Sequence, residues 1–263
     1  MDIEALFSVK DKVVLVTGGS RGIGEMIATG FVQAGAKVYI SSRSSKACDE
    51  TAAKLNALGP GQCIPLPADL QSLDQIKELV SELSKRETSL DVLVNNAGAT
   101  WGAPIDEYPE FAFQKVMNLN VTRIFSLTQA LLPLLRTNAT RENPSRVINI
   151  GSVAGENVPN FEAYAYSASK AGIAHLSRHL AGRLGREFIL VNTIAPGSFP
   201  SKMIAETWRK NKEAYLARNP LGRIGTPEDI AGTCLYLSSR AGNYTNGATI
   251  VIDGGSTHSS SRL

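Results

Sequence analysis

The sequence has 263 residues, of which 43% are hydrophobic and 19% are charged, and its formal net charge is +3. This composition provides enough apolar material for a packed core and excludes global disorder. The charge is too small to indicate a nucleic acid or membrane partner. The three cysteines and three histidines form no disulfide or metal-binding pattern. Because the chain also lacks a signal peptide and a membrane-length apolar run, we expect a soluble intracellular protein.

Short runs rich in β-branched residues alternate along the chain with longer helical patterns. The predicted strands are Val13–Thr17, Lys37–Ser41, Gln62–Pro65, Asp91–Val94, Arg146–Ile150, Leu190–Ile194 and Thr249–Ile252. The predicted helices are Gly22–Ala34, Ser45–Leu58, Leu73–Glu87, Glu110–Leu135, Ala163–Gly185 and Pro227–Ser239. Apolar strands separated by helices predict an α/β fold with a doubly wound, parallel seven-stranded sheet and helices on both faces.

This alternation predicts a single catalytic domain over residues 1–255. Residues 197–226 lie outside the alternation and beside a strand end, which predicts a substrate lid. Residues 256–263 are rich in serine and are expected to form a mobile tail.

A glycine-rich loop, Thr17–Gly24, joins the first predicted strand to the first predicted helix of the alternation. Glycines at this junction let backbone amides approach a pyrophosphate, which the positive end of the helix then holds. The loop therefore predicts dinucleotide binding.

Tyr166 and Lys170 lie four residues apart in a stretch without glycine or proline, so both side chains should project from one face of a helix. A neighbouring positive charge favours the phenolate and lowers the tyrosine pKa toward neutrality. Tyr164 fails the same test because the residue four positions later is Ala168. The spacing predicts that Tyr166 transfers protons.

Gly18, Gly22 and Gly24 form the pattern TGxxxGxG, which resembles the glycine motif of the short-chain dehydrogenase/reductase family. The resemblance, which implies a Rossmann-like fold, extends along almost the whole chain. Its other matches are Asn95–Gly98, Asn120, Ser152, Tyr166 with Lys170, and Pro196–Gly197. The segments that directly follow predicted strands are the glycine loop, Asn95–Gly98, Ser152 and Pro196–Gly197. They should therefore meet in one crevice at the carboxyl ends of the strands.

The resemblance implies a catalytic group of Asn120, Ser152, Tyr166 and Lys170. Tyr166 would donate a proton to the substrate oxygen, and Ser152 would hydrogen-bond that oxygen. Lys170 would lower the tyrosine pKa and hold the cofactor ribose. Asn120 would orient a water that relays protons to Lys170, or would satisfy backbone groups where a helix is distorted.

The cofactor is expected to be NADPH. No carboxylate follows the second strand before Asp49, whereas Arg43 and Arg21 are placed to pair with a 2′-phosphate. Asp69 resembles the family's adenine-contacting aspartate, and Ser201 keeps the hydroxyl of a common threonine. The full set of expected cofactor-binding residues is Gly18, Ser20, Arg21, Gly22, Ile23, Gly24, Ser42, Arg43, Asp69, Leu70, Asn96, Ala97, Gly98, Tyr166, Lys170, Pro196, Gly197 and Ser201.

Similarity to 3-oxoacyl-thioester reductases of the rhamnolipid-pathway type implies reduction of a 3-oxoacyl thioester. A broad carbonyl or polyketide-type ketone reductase and a dinucleotide-sensing binding protein remain alternatives. The residues that would line an apolar acyl site are Trp101, Phe161, Phe199, Met203 and Trp208. Basic residues that would attract coenzyme A or an acidic carrier are Lys202, Arg209, Lys210, Lys212 and Arg218.

Two further expectations concern assembly and location. The family resemblance and two long apolar helices imply a homotetramer. The C-terminal Ser261-Arg262-Leu263 is similar to a peroxisomal address, which predicts an import receptor as partner and a peroxisomal protein, with a cytoplasmic location as the alternative.

Overall fold

The computed structural model describes residues 1–159, 161–201, 212–213, 216–217 and 219–259. Seven parallel strands form one sheet in the order β3-β2-β1-β4-β5-β6-β7. The strands are β1 Val13–Thr17, β2 Lys37–Ser41, β3 Gln62–Pro65, β4 Val92–Asn95, β5 Ser145–Ile150, β6 Ile189–Pro196 and β7 Thr249–Ile252. The predicted sheet is confirmed.

Helices cover both faces of the sheet, and each face has its own apolar core. The helices within the described residues are α1 Ile3–Phe7, α2 Gly22–Gln33, α3 Ser45–Asn56, α4 Leu73–Arg86, α5 Glu110–Met117, α6 Arg123–Thr137, α7 Tyr164–Leu184 and α8 Pro227–Ser238. Phe31, Leu55 and Leu237 bury side chains from α2, α3 and α8 on one face. Leu83, Leu131 and Leu184 do so from α4, α6 and α7 on the other. This arrangement confirms the doubly wound fold.

The predicted helix Glu110–Leu135 is wrong as one continuous element. It is divided into α5 and α6 by a π-helical turn, Asn118–Thr122. Such a turn adds a residue to the helical repeat and commonly occurs at functional sites. Its cause is tertiary, because Asn120 in this turn bonds to a neighbouring loop. The short helix α1 was also missed; it carries no buried residue.

The strand order locates the ligand crevice. The chain passes from β1 outward to β2 and β3, and then returns to β4 on the other side of β1. Loops that leave β1 and β4 therefore diverge to opposite faces and open a crevice at the carboxyl ends of these strands. No helix among the described residues is long and apolar enough to cross a membrane.

Candidate active site

The glycine loop packs so closely that side chains are excluded from it. Gly18 has φ +64°, and a Cβ on Gly24 would overlap the carbonyl oxygen of Gly18. Helix α2 begins at Gly22 without a side-chain hydrogen bond at its N-cap, Arg21. The first amides of α2 are therefore available to an anion at the positive end of the helix.

The loop after β4 is fastened to the glycine loop by side chains that the sequence motif contains. Asn96 Nδ2 donates to the carbonyl oxygens of Thr17 at 2.9 Å and Gly18 at 3.2 Å. The amides of Asn96 and Ala97 both donate to Thr17 Oγ1 at 3.0 Å. A Cβ on Gly98 would lie 3.8 Å from Lys170 Nζ, so this loop also borders the predicted catalytic lysine.

The residues predicted to recognise the adenosine part lie around the end of β2. Arg21 and Arg43 are exposed, and neither side chain forms a hydrogen bond or ion pair with another described residue. Ser42 is half-buried. Asp69 Oδ1 accepts from the amide of Gln71 at 3.0 Å, which orders the turn that carries buried Leu70.

Asn120 is fully buried and bonds to the β4 loop in both directions. Its Oδ1 accepts from the amide of Ala99 at 2.8 Å, and its Nδ2 donates to the Ala99 carbonyl at 2.9 Å. Nδ2 also donates to Ser169 Oγ on α7 at 2.9 Å. The structure thus gives Asn120 the backbone-satisfying role that was one of its two expected roles.

Ser152, Tyr166 and Lys170 are brought together beside the end of β5. The Ser152 hydroxyl lies close enough to the Tyr166 hydroxyl to influence its pKa, and Lys170 Nζ lies 5.5 Å from the centre of the Tyr166 ring. Lys170 is buried and donates to the carbonyl oxygen of Ile150 at 2.7 Å. Ser152 Oγ accepts from the amide of Ala154 at 3.1 Å, which fixes the hydroxyl in the crevice.

The pKa values of this group depart from the sequence-based expectation. Burial raises the pKa of Tyr166, and its hydrogen bond with Ser152 is the opposing influence. Lys170 is not among the influences on the Tyr166 pKa, and burial lowers the pKa of Lys170 itself to about 8. The tyrosine therefore holds its proton at neutral pH and is arranged as an acid.

Tyr164 is separated from this group, as its spacing predicted. Its side chain is exposed, its hydroxyl bonds to Glu162 Oε1 at 3.0 Å, and its ring packs edge-on against Tyr108.

The segment after β6 contacts the turn at Asp253 in two places, and this turn was not among the predicted site residues. A Cβ on Gly197, which follows Pro196, would lie 2.7 Å from Asp253 Cβ. Asn219 Nδ2 donates to the Asp253 carbonyl at 2.9 Å. Ser201 lies beside the glycine loop, since a Cβ on Gly22 would be 3.5 Å from Ser201 Cβ. The turn at Asp253 thus contacts the predicted lid at its first residue, Gly197, and again at Asn219.

The predicted acyl-site and basic residues are only partly described. Trp101 packs edge-on against Phe111, Phe161 is exposed and Phe199 is buried. Lys212 lies within the described residues. The residues outside the described ranges are Met203, Trp208, Lys202, Arg209, Lys210 and Arg218. No cluster of potential metal ligands occurs in the part of the chain that the structure describes.

Comparisons with known proteins agree with this geometry. A family model described as enoyl-(acyl carrier protein) reductase matches residues 18–257. The chain is 50% identical to a rhamnolipids biosynthesis 3-oxoacyl-[acyl-carrier-protein] reductase of Pseudomonas aeruginosa, covering 95% of this chain and 97% of the relative. It is 34% identical to a 3-oxoacyl-[acyl-carrier-protein] reductase of Thermotoga maritima, covering 94% and 98%.

A solved structure of a Pseudomonas aeruginosa RhlG/NADP active-site complex superimposes with a TM-score of 0.91 at 49% identity, covering 95% of this chain and 98% of that one. The fold and the site together define a dinucleotide-dependent oxidoreductase. The chain belongs to the short-chain dehydrogenase/reductase family.

The predicted peroxisomal location is wrong. The 3-oxoacyl reductases to which the chain is similar come from bacteria, which have no peroxisomes. The tripeptide Ser261-Arg262-Leu263 lies outside the described residues. A C-terminal match of three residues is too short to outweigh similarity over the whole chain.

The pKa of Lys170 generates a prediction about stability. The unfolded chain holds this proton up to pH 10.5, whereas the folded protein releases it from about pH 8. The buried charge therefore opposes folding below pH 8, and this penalty disappears as the pH rises to 10.5. Between these limits, wild type should gain on the order of 3 kcal/mol in unfolding free energy relative to Lys170→Met.

Denaturant unfolding of both proteins at several pH values measures this difference. Lys46→Met is the matched control, because the Lys46 side chain is 86% exposed and stays in water in both states. A constant difference between wild type and Lys170→Met from pH 8 to 10 would contradict the assignment.

Proposed function

We propose that the protein reduces the ketone of a 3-oxoacyl thioester to a secondary alcohol with NADPH. The carrying observation is that Ser152, Tyr166 and buried Lys170 lie together at the crevice that the glycine loop borders. Similarity to two 3-oxoacyl-[acyl-carrier-protein] reductases along nearly the whole chain supports this substrate class.

The residues present fit NADPH. The tight glycine loop and the uncapped start of α2 suit a pyrophosphate. The loop after β2 has no carboxylate to repel a 2′-phosphate, and the exposed side chains of Arg21 and Arg43 have no other partner in the part of the chain that the structure describes. The similar structure named as an NADP complex supports the same choice. When bound, the cofactor supplies the hydride.

The chain's own groups supply the proton and stabilise the developing charge. Tyr166, whose pKa is raised by burial, donates its hydroxyl proton to the ketone oxygen. Ser152 hydrogen-bonds the same oxygen as negative charge develops on it. Lys170 holds the cofactor ribose, and Asn120 fixes the loop after β4 against α7.

Three alternatives make different predictions. The description of the matching family model favours reduction of a carbon–carbon double bond in an enoyl thioester. A broad ketone reductase would use the same catalytic residues. A binding protein without activity is disfavoured because Ser152, Tyr166 and Lys170 are all present and lie together.

A substrate panel distinguishes these functions. We expect NADPH oxidation with acetoacetyl and longer 3-oxoacyl thioesters to exceed that with 2-enoyl thioesters and cyclic ketones. Coenzyme A and acyl-carrier thioesters of equal chain length should be compared, because the loss of the peroxisomal argument leaves both open. A clear preference for 2-enoyl thioesters or cyclic ketones would overturn the proposed substrate class.

Tyr166→Phe removes the proposed proton donor and retains the ring. We expect ketone reduction to fall by at least ~10²-fold while NADPH binding is largely retained. Tyr164→Phe is a matched control, since it removes an exposed hydroxyl two residues away, and its turnover should stay near wild type. Comparable turnover in both variants would mean that another group supplies the proton.

Arg43→Ala and Arg21→Ala test the proposed contacts with the 2′-phosphate. A hydrogen bond to a charged group contributes ~1.5–3 kcal/mol, so each variant should weaken NADPH binding by about tenfold to a hundredfold. NADH lacks this phosphate and should bind almost unchanged. Fluorescence titration measures both dissociation constants, and equal weakening of the two cofactors would exclude a phosphate contact.

We also propose that residues 1–255 form one catalytic domain, whose lid at 197–226 covers the bound substrate. The contacts of Gly197 and Asn219 with the turn at Asp253 support this division, because they connect the first residue of the lid and a later one to the end of β7.

A homotetramer is proposed because two separate apolar surfaces are exposed. One surface lies on α5, α6 and α7, where Phe113 and Phe125 are exposed and Phe125 lines a groove together with Leu132 and Leu180. The other lies along the edge strand β7, where Val251 is exposed. Two isologous interfaces of this kind generate a tetramer.

Light scattering at micromolar concentration should give the mass of four chains. Phe125→Glu places a charge on the first surface and should yield smaller assemblies. Leu58→Glu changes an exposed leucine after α3, outside both surfaces, and should leave the mass unaltered. A wild-type monomer would contradict the tetramer.

A further inference from the structure

Helix α3 contacts both loops that carry the proposed phosphate-binding arginines. Cys48 and Thr51 lie three residues apart in this helix, so their side chains lie on the same face. Cys48 is fully buried and Thr51 nearly so. Neither residue belongs to a recognised motif, and neither extends to the crevice.

Cys48 holds the loop that carries Arg43. Its Sγ lies 3.1 Å from Ser42 Oγ, which also donates to the Ser44 carbonyl at 3.3 Å. Ser44 is the N-cap of α3, where its Oγ accepts from the amide of Ala47 at 3.2 Å. The residues on both sides of Arg43 are thereby fastened to α3.

Thr51 holds the loop that carries Arg21. Its Oγ1 donates to the carbonyl oxygen of Ser20 at 3.0 Å. The glycine loop is further joined to β2 where the amide of Gly19 donates to the Ser41 carbonyl at 3.2 Å. Helix α3 thus fixes the backbone next to each arginine.

The arginine side chains themselves have no other restraint, because both are exposed and unpaired among the described residues. An arginine loses considerable rotamer freedom when it binds a phosphate. Two guanidinium groups can converge on one phosphate only if their backbones are already correctly placed. Displacement of either loop should therefore weaken binding of a 2′-phosphate more than binding of the rest of the dinucleotide.

We infer that Cys48 and Thr51 are positioning residues that establish the preference for NADPH over NADH through α3, without contacting the cofactor. This inference rests on the proposed contacts of Arg21 and Arg43 with the 2′-phosphate. Beyond those contacts, the inference identifies α3 as the element that holds the backbones of both arginines in place.

Fluorescence titration of the full-length protein with NADPH and with NADH tests the inference. Thr51→Val and Cys48→Ala each remove one contact, and each should weaken NADPH binding by about twofold to tenfold, the range for one hydrogen bond. NADH binding should change by less than twofold. Thr51→Ser and Cys48→Ser keep a polar atom at the same position and should retain more of the preference.

Matched controls come from α8, which contacts neither loop. Thr233→Val removes a hydroxyl that donates to the Asp229 carbonyl at 2.9 Å, and Cys234→Ala removes a fully buried thiol. Both should leave the NADPH-to-NADH ratio of dissociation constants at the wild-type value.

The outcomes separate the inference from the proposed function. If Arg43→Ala reduces the NADPH preference but Thr51→Val and Cys48→Ala leave it intact, the role of α3 is refuted and the phosphate contact stands. If the α3 variants weaken NADPH and NADH equally, their role is structural and the inference fails. If Arg43→Ala and Arg21→Ala also leave the preference intact, the phosphate contact fails and the inference fails with it.

Discussion

One buried amide, that of Asn120, joins the three segments on which the site depends. It bonds both backbone groups of Ala99 in the loop after β4, and it donates to Ser169 on α7. Ser169 Oγ in turn donates to the Tyr166 carbonyl at 2.7 Å. Because a buried polar group left without a partner costs about 1–3 kcal/mol, these segments cannot shift independently. The loop after β4 and the helix α7, which carries Tyr166 and Lys170, are therefore held in fixed positions relative to each other.

Much of the fold was predictable because its strands are short runs rich in β-branched residues between clear helical patterns. The predicted bounds of β1, β2, β3 and β7 agree with the structure, as do the starts of several helices. The periodicity of residues 110–135 did not reveal the π-helical turn, because it continues a helical pattern and the distortion depends on a partner 21 residues away in the chain; only the expected backbone-satisfying role of Asn120 pointed to a distorted helix. Long-range hydrogen bonds leave no periodic signal in a sequence.

The site was predictable in its residues but not in its contacts. Ser152, Tyr166 and Lys170 follow from motif spacing, and the structure places them together. The sequence did not reveal that Lys170 would donate to Ile150, or that burial would raise the tyrosine pKa. Cys48 and Thr51 carried no signal, because their partners are defined only by packing of α3. The C-terminal tripeptide gave a wrong prediction of location, because a pattern of three residues was interpreted without structural context.

In the proposed reaction, hydride is transferred to the ketone carbon while Tyr166 protonates the ketone oxygen. A direct test supplies NADPH deuterated at C4 to an equimolar mixture of a 3-oxoacyl and a 2-enoyl thioester of equal chain length. Mass spectrometry of the products then locates the label. We predict a 3-hydroxyacyl thioester with one deuterium at C3, whereas a labelled saturated thioester beside unlabelled, unreacted ketone would contradict ketone reduction.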